Sequence, residues 1–208
     1  MTEHFFRSSG YLADGHIVAS DGAVWDIAEL PPFLRTLLVM DGTVTKSLEA
    51  YFWEPVEVLK SRQFEQASDA PPRPPVPLAT TISTCLVREV ALVGRRSRRR
   101  FACARSWLAL DALPPPLAAG IREGRIGIGE LLREQGVETY RQIVALDVFG
   151  ARHDDPLLGD RDGVWVARAY RIRVSGTPAI LVSEFFPLEL YRDAASSPSG
   201  GVLTRQEL

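Results

Sequence analysis

The chain has 208 residues, 46% of them hydrophobic and 24% charged, the make-up of one ordinary globular domain with a substantial buried core. Its formal net charge of -2 supplies no global positive field to hold nucleic acid or an anionic membrane surface, so an anionic partner would need local cations. No segment approaches the roughly 18 apolar residues of a membrane span. Met1 to Arg7 also lacks the basic-then-apolar order of a secretory signal, which points to a cytoplasmic protein.

In chain order, Leu30 to Met40 opens with two prolines and spaces Phe33, Leu34, Leu37 and Leu38 as a short buried helix would, with Asp41-Gly42 ending it. Thr43 to Lys60 mixes β-branched and aromatic residues. Tyr51, Phe52, Trp53, Val56 and Val58 are candidates for core or pocket wall there, and Pro55 divides the segment. Residues 67–80 carry five prolines and predict an extended surface connection, not a domain boundary. Thr84–Val93 and Phe101–Leu110 flank an arginine-rich GRRSRRR and predict a β-hairpin with a basic tip. Within its first strand, Arg88 shares a face with Val90 and Leu92, while Val87, Glu89 and Ala91 face the other way.

After Pro114–Pro116, two short helices are expected, the second starting near Gly129 and ending before Gly136. Glu138–Phe149 predicts a strand. Val164–Val174 is the clearest one, with Val166, Tyr170, Ile172 and Val174 on one side and Trp165, Ala167 and Ala169 on the other. Ser175–Pro178 makes a turn, and Ala179–Phe186 runs back until Pro187. Residues 1–193 form one domain in this reading, and the tail from Ala194, containing SSPSGG, is expected to be disordered. Hairpins framed by helices give an α+β class with a single antiparallel sheet of about six strands.

Two charges stand inside apolar strands, Arg88 and Glu184, and such groups leave water only when paired or when a ligand supplies the partner. They could pair with each other or reach outward. Arg105 and Arg168 add cations in hydrophobic surroundings, where they could meet a second anionic group or cover the sheet with their aliphatic stems. The arginines at positions 95, 96, 98, 99 and 100 lack interleaved aromatic residues, so a solvated hairpin tip is expected and no nucleic-acid partner. His4, His16 and His153 have no cysteine or carboxylate at ligand spacing, so no metal site is expected. Cys85 and Cys103 predict buried free thiols. Gly127-Ile128-Gly129 lacks a full phosphate-loop pattern but could offer a backbone amide at a helix start.

Four segments, LLVMDGTVTKSLE at 37–49, CLVREVAL at 85–92, IGIGELL at 126–132 and VWVARAYRIRVSGTPAILVSEFFP at 164–187, resemble the chorismate pyruvate-lyase family. The resemblance implies an α+β fold in which helical flaps enclose a site over one antiparallel sheet. It implies a cofactor-independent carbon–oxygen lyase that turns chorismate into 4-hydroxybenzoate and pyruvate. In that pattern Arg88 holds the ring carboxylate and Glu184 meets the ring hydroxyl. The backbone amides of Val44 and Ile128 complete the carboxylate's hydrogen bonds, and Arg168 or Arg105 receives the second carboxylate. Between Gly176 and Glu184 the chain carries one residue more than the family pattern, which a β-bulge would accommodate.

Two other readings stand beside this one. The first keeps the lyase and changes the substrate to an amino-chorismate, because a carboxylate accepts hydrogen bonds from an amine or a hydroxyl alike. The second is a non-catalytic effector-binding domain of the same fold, although the first thirty residues offer no helix-turn-helix to accompany it. A small-molecule partner, no membrane, and a monomer or weak homodimer are expected.

Overall fold

The computed structural model describes residues 15–68, 70–78, 84–124, 127–150, 155–159 and 163–196. His4, His153 and the tail beyond residue 196 lie outside these. A two-stranded ribbon, β1 (His16–Val18) and β2 (Val24–Asp26), leads into α1 (Pro32–Val39) and α2 (Val44–Phe52). Then come β3 (Val56–Ala67), β4 (Thr84–Gly94), β5 (Arg100–Leu108), α3 (Pro115–Glu123) and α4 (Ile128–Glu134). The chain closes with β6 (Thr139–Phe149), β7 (Trp165–Val174), β8 (Thr177–Pro187) and α5 (Leu188–Ser196).

The six long strands form one antiparallel sheet in the order β3-β4-β5-β8-β7-β6. It is two three-stranded meanders joined where β5 pairs with β8, and the connection between them carries α3 and α4. Each meander pairs chain neighbours, with a short turn joining β4 to β5 and β7 to β8 and a longer connection joining β3 to β4 and β6 to β7. Between β7 and β8, Ser175 and Gly176 both adopt positive φ, 50° and 80°, as a two-residue turn matched to the twist of the strands requires. The turn is thus tighter than the Ser175–Pro178 reading.

Helices begin where proline fixes the backbone. Pro32 opens α1 and Pro115-Pro116 open α3, positions whose missing N–H would have no helical partner in any case. Leu34, Leu37 and Leu38 are buried as their spacing predicts. Two helices escaped the sequence reading. Val44–Phe52, left among β-branched and aromatic residues, is α2; it buries Val44 and Leu48 in the core and closes a Lys46–Glu49 pair at i,i+3. Its C-cap Trp53 is 83% exposed, not core or pocket wall. The chain after Pro187 turns directly into α5, which continues past Asp193, the expected end of the domain, to Ser196.

One sheet face receives the helices in two groups. Leu92, Ala102, Val148, Val166 and Phe186 pack with α1, α2 and α5. Leu86, Leu108, Ile172, Ile180 and Val182 pack with α3 and α4. The opposite face is covered partly by the proline-rich segment, as the Trp107 indole N–H donates to the Pro72 carbonyl at 2.9 Å and Arg171 donates to that of Pro77 at 2.8 Å. That surface connection therefore straps the sheet. Cys85 and Cys103 are buried free thiols on the strapped face. Among the described residues, no helix is long and apolar enough to cross a membrane.

Candidate functional site

Between the two helical groups, over the sheet, lies a cavity of about 210 Å³. Its floor is set by register. Arg88 on β4 stands opposite Ser106 on β5, Ser106 opposite Val182 on β8, and Val182 opposite Tyr170 on β7. Two residues along, Val90, Ala104, Glu184 and Arg168 form the next row on the same face. Arg88, Ser106, Tyr170 and Glu184 line the cavity; its walls include Val56, Val58 and the first turns of α2 and α4, with Val44 and Ile128 among them.

Arg88 is 3% and Glu184 6% exposed. Two strand spacings and two residues of rise separate their Cα atoms by about 12 Å. Both side chains project from the same face of the sheet into the cavity. Arg88 Nη2 donates to the Gly124 carbonyl at 3.4 Å, and burial pulls the guanidinium pKa below its ordinary value. Arg88 and Glu184 do not pair with each other: Glu184 Oε2 accepts from Arg168 Nε at 2.7 Å and Oε1 from the Tyr170 hydroxyl at 3.0 Å. Burial first, and then the adjacent Glu184 charge, push the Tyr170 phenol well above the ordinary tyrosine value, which keeps it a proton donor to the carboxylate. A β-bulge interrupts the pairing of β7 with β8. The pairing slips between Ile172–Ile180 and Arg173–Pro178, leaving Ala179 as a bulge beyond which Glu184 keeps the cavity face.

Arg168 has the cavity's face but not a cavity role as a free cation. It is 1% exposed, and besides Glu184 its Nη1 donates to the carbonyls of Leu37 and Met40, where α1 ends. Those carbonyls are the unsatisfied acceptors of a helix C-terminus and favour a cation. Arg105 is not brought to the site at all. Its place opposite Ser183 and Glu89 puts it on the strapped face, where Nε bonds Glu89 at 2.7 Å and the two Nη atoms grip Asp155 at 3.0 and 2.7 Å. Its assignment to a second carboxylate fails because adjacent positions on a strand point to opposite sides.

Ser106, Tyr170 and Arg141 line the cavity without having been assigned to it from the sequence. Ser106 could have been found from the hairpin register, and Tyr170 from its position two residues beyond Arg168. Arg141 on β6 was hidden by a bulge between Ile143 and Ala145, which puts Arg141 and Leu146 on one face despite their odd separation. Among the described residues, no group of three or more histidine, cysteine, aspartate or glutamate side chains could hold a metal ion.

A six-stranded antiparallel sheet with helices on one face is the chorismate lyase-like α+β fold. The chain belongs to the Rv2949c-like chorismate pyruvate-lyase family, whose model matches residues 38–193. A chorismate pyruvate-lyase of Mycobacterium leprae is 28% identical over 174 residues, covering 81% of this chain and 80% of that protein. One of Mycobacterium tuberculosis is 26% identical over 182 residues, covering 81% and 86%. Among solved structures, PhnF of Mycobacterium smegmatis superposes with a TM-score of 0.55 at 13% identity over 73% of this chain, which spans 66% of PhnF. The effector domain of PhnF alone gives 0.53 at 13% identity, over 71% of this chain and 90% of that domain. At such identity the likeness is one of fold.

Proposed function

We propose that this protein is a lyase that cleaves chorismate to 4-hydroxybenzoate and pyruvate. The observation that carries the reading is the convergence of Arg88 and Glu184, both almost fully buried, from two strands into one cavity. Arg88 grips the ring carboxylate, its planar guanidinium matching two oxygens at once. The amides of Val44 and Ile128, in the first turns of α2 and α4, complete that carboxylate's hydrogen bonds. Glu184, held in place by Arg168 and Tyr170, accepts from the hydroxyl at the opposite ring position.

The reaction asks for little covalent chemistry from the protein. The ring–oxygen ether bond breaks, the hydrogen on the hydroxyl-bearing carbon departs, and the ring gains its third double bond. The enol oxygen becomes the ketone of pyruvate as the methylene carbon takes up a proton. Atoms and electrons balance without an external oxidant or reductant. What the site contributes is fixed orientation of both ring poles in a desolvated cavity, so that the side chain is held in a reactive conformer.

Incubation with chorismate should release equimolar pyruvate and 4-hydroxybenzoate, followed by a coupled pyruvate assay and by mass. Arg88→Met is expected to weaken binding by about 2–5 kcal/mol, at least thirtyfold. An amino-chorismate should be run in parallel, since Glu184 would accept from its amine. Tight binding of chorismate without pyruvate release would favour an effector-binding role and overturn the lyase.

A further inference from the structure

The basic hairpin tip does not stand alone in solvent. The residues between β4 and β5, Arg95–Arg99, are all exposed, and every one but Ser97 is an arginine. The fold lays this turn against the end of α2. The Arg95 amide donates to the Pro55 carbonyl at 2.8 Å, and the amides of Arg96 and Ser97 donate to Glu54 Oε2 at 2.8 and 3.0 Å. Arg99 reaches over the Phe52 ring, its Cζ 5.9 Å from the centroid. Trp53, between Phe52 and Glu54, is thereby fixed beside the arginines, an aromatic neighbour that sequence spacing does not reveal.

Trp53 is unusual in two ways. At 83% exposure it is the most open of the large hydrophobic side chains among the described residues, with Val24 next at 66%. Its backbone is left-handed, with φ 55° and ψ 41°, a conformation that glycine takes freely and a bulky residue takes with strain. Folding therefore gains little from a tryptophan here, since the indole is not buried and the backbone is strained to present it. Its surroundings are cationic on balance. Arg95 and Arg98 share Glu57 at 3.4 and 2.9 Å with their own side chains 69% and 62% exposed, and Arg96 has no carboxylate partner among the described residues. Four arginines against Glu54 and Glu57 leave a net charge of +2.

We propose that Trp53 and the Arg95–Arg99 turn form a docking surface for an anionic lipid bilayer. The net charge of -2 over the whole chain conceals this local cluster of cations. An indole favours the headgroup layer, where its ring meets apolar surroundings and its N–H meets water, and arginines beside it meet the anionic headgroups. A protein partner needs about 800 Å² of complementary surface on this side, more than one indole and one short turn present. Single-stranded nucleic acid stacks successive bases on several aromatic rings, and among the described residues a single exposed ring borders this turn. The surface stands apart from the cavity, because neither Trp53 nor the turn lines it.

The test adds vesicles to the full chain at low salt and reads sedimentation and tryptophan emission. The vesicles are phosphatidylcholine alone, or phosphatidylcholine with about one-third phosphatidylserine. Of the four tryptophans, Trp107 and Trp165 are 2% and 1% exposed and Trp25 is half-buried, so a blue shift on binding reports chiefly Trp53. The anionic vesicles should carry the protein down with a blue shift, the neutral ones should not, and added salt should release it. Trp53→Asn, whose side chain tolerates the left-handed backbone, should abolish the shift and weaken partitioning about tenfold or more. Arg96→Gln combined with Arg99→Gln should weaken it about twentyfold, about fivefold for each charge removed. Thermal unfolding of these variants should stay close to that of the wild type, which separates lost partitioning from lost fold. No sedimentation with the anionic vesicles, or sedimentation that both variants leave unchanged, overturns the proposal. Quenching of Trp53 by an oligouridylate without any vesicle binding also overturns it and assigns the turn to single-stranded nucleic acid.

Discussion

Replacing Arg168 with methionine would strand Glu184. Arg168 is 1% exposed, its Nε lies 2.7 Å from Glu184 Oε2, and its Nη1 also holds the last carbonyls of α1, that of Met40 at 2.7 Å. Deleting one member of a buried ion pair costs about 3–5 kcal/mol, because the other charge keeps its desolvation penalty without its partner. Against the about 5–15 kcal/mol that stabilises a typical domain, the single variant should sit near the edge of folding. Adding Glu184→Leu removes the stranded charge, so the double variant should be more stable than Arg168→Met by about 2 kcal/mol or more, despite carrying one more substitution. Urea unfolding followed by circular dichroism on the wild type, both single variants and the double gives the coupling directly. If the two single costs add within about 0.5 kcal/mol, the pair is not a unit and the argument that Arg168 positions Glu184 fails.

The same reasoning on the other face gives a contrasting outcome. Arg105→Met leaves Glu89 and Asp155 facing each other without their cation and should cost about 3–5 kcal/mol of stability, yet calorimetry should find 4-hydroxybenzoate affinity essentially unchanged; a large loss of affinity would contradict its exclusion from the site. For the phenols of Tyr170 and Tyr191, burial first and then Glu184 raise the folded pKa. The stability they contribute is therefore present below the unfolded value of about 10 and lost as pH rises beyond it. Absorbance near 295 nm should show these two ionising only as the protein unfolds, and their ionisation in a native protein would refute that. Glu49 has the opposite sign: hydrogen bonds from Lys46 and from the Val56 amide lower its pKa, so its tie between α2 and β3 is present above the ordinary carboxylate value and lost as pH falls through the lowered folded one. Hydrogen exchange at the Val56 amide should lose protection over that acid range, and constant protection would argue against the tie.

Much of this was legible in the residues, and the failures have physical causes. Strict alternation along β7 gave the sides of Val166, Tyr170, Ile172 and Val174 and of Trp165, Ala167 and Ala169, because one face of that strand packs on helices and the other on the strapped layer. Arg88 was conspicuous for the same reason, a charge in line with Val90 and Leu92. Alternation fails at bulges, and the one in β6 concealed Arg141. The face of Arg105 depends on how its strand pairs across the hairpin. That register slips between Leu92 and Val93, beyond the reach of composition. Helix α2 was lost among Val44, Thr45, Tyr51 and Phe52, residues of weak helical preference, since its stability comes from burying Val44 and Leu48 rather than from propensity.

A structure of the protein crystallised with 4-hydroxybenzoate tests the central claim most directly. The carboxylate should lie in a two-pronged contact with Arg88 and the phenolic oxygen within hydrogen-bond distance of Glu184, with the ring spanning the cavity between β4 and β8. A ring bound in the reverse sense, or seated outside that cavity while Arg88 and Glu184 touch no part of it, would contradict the account.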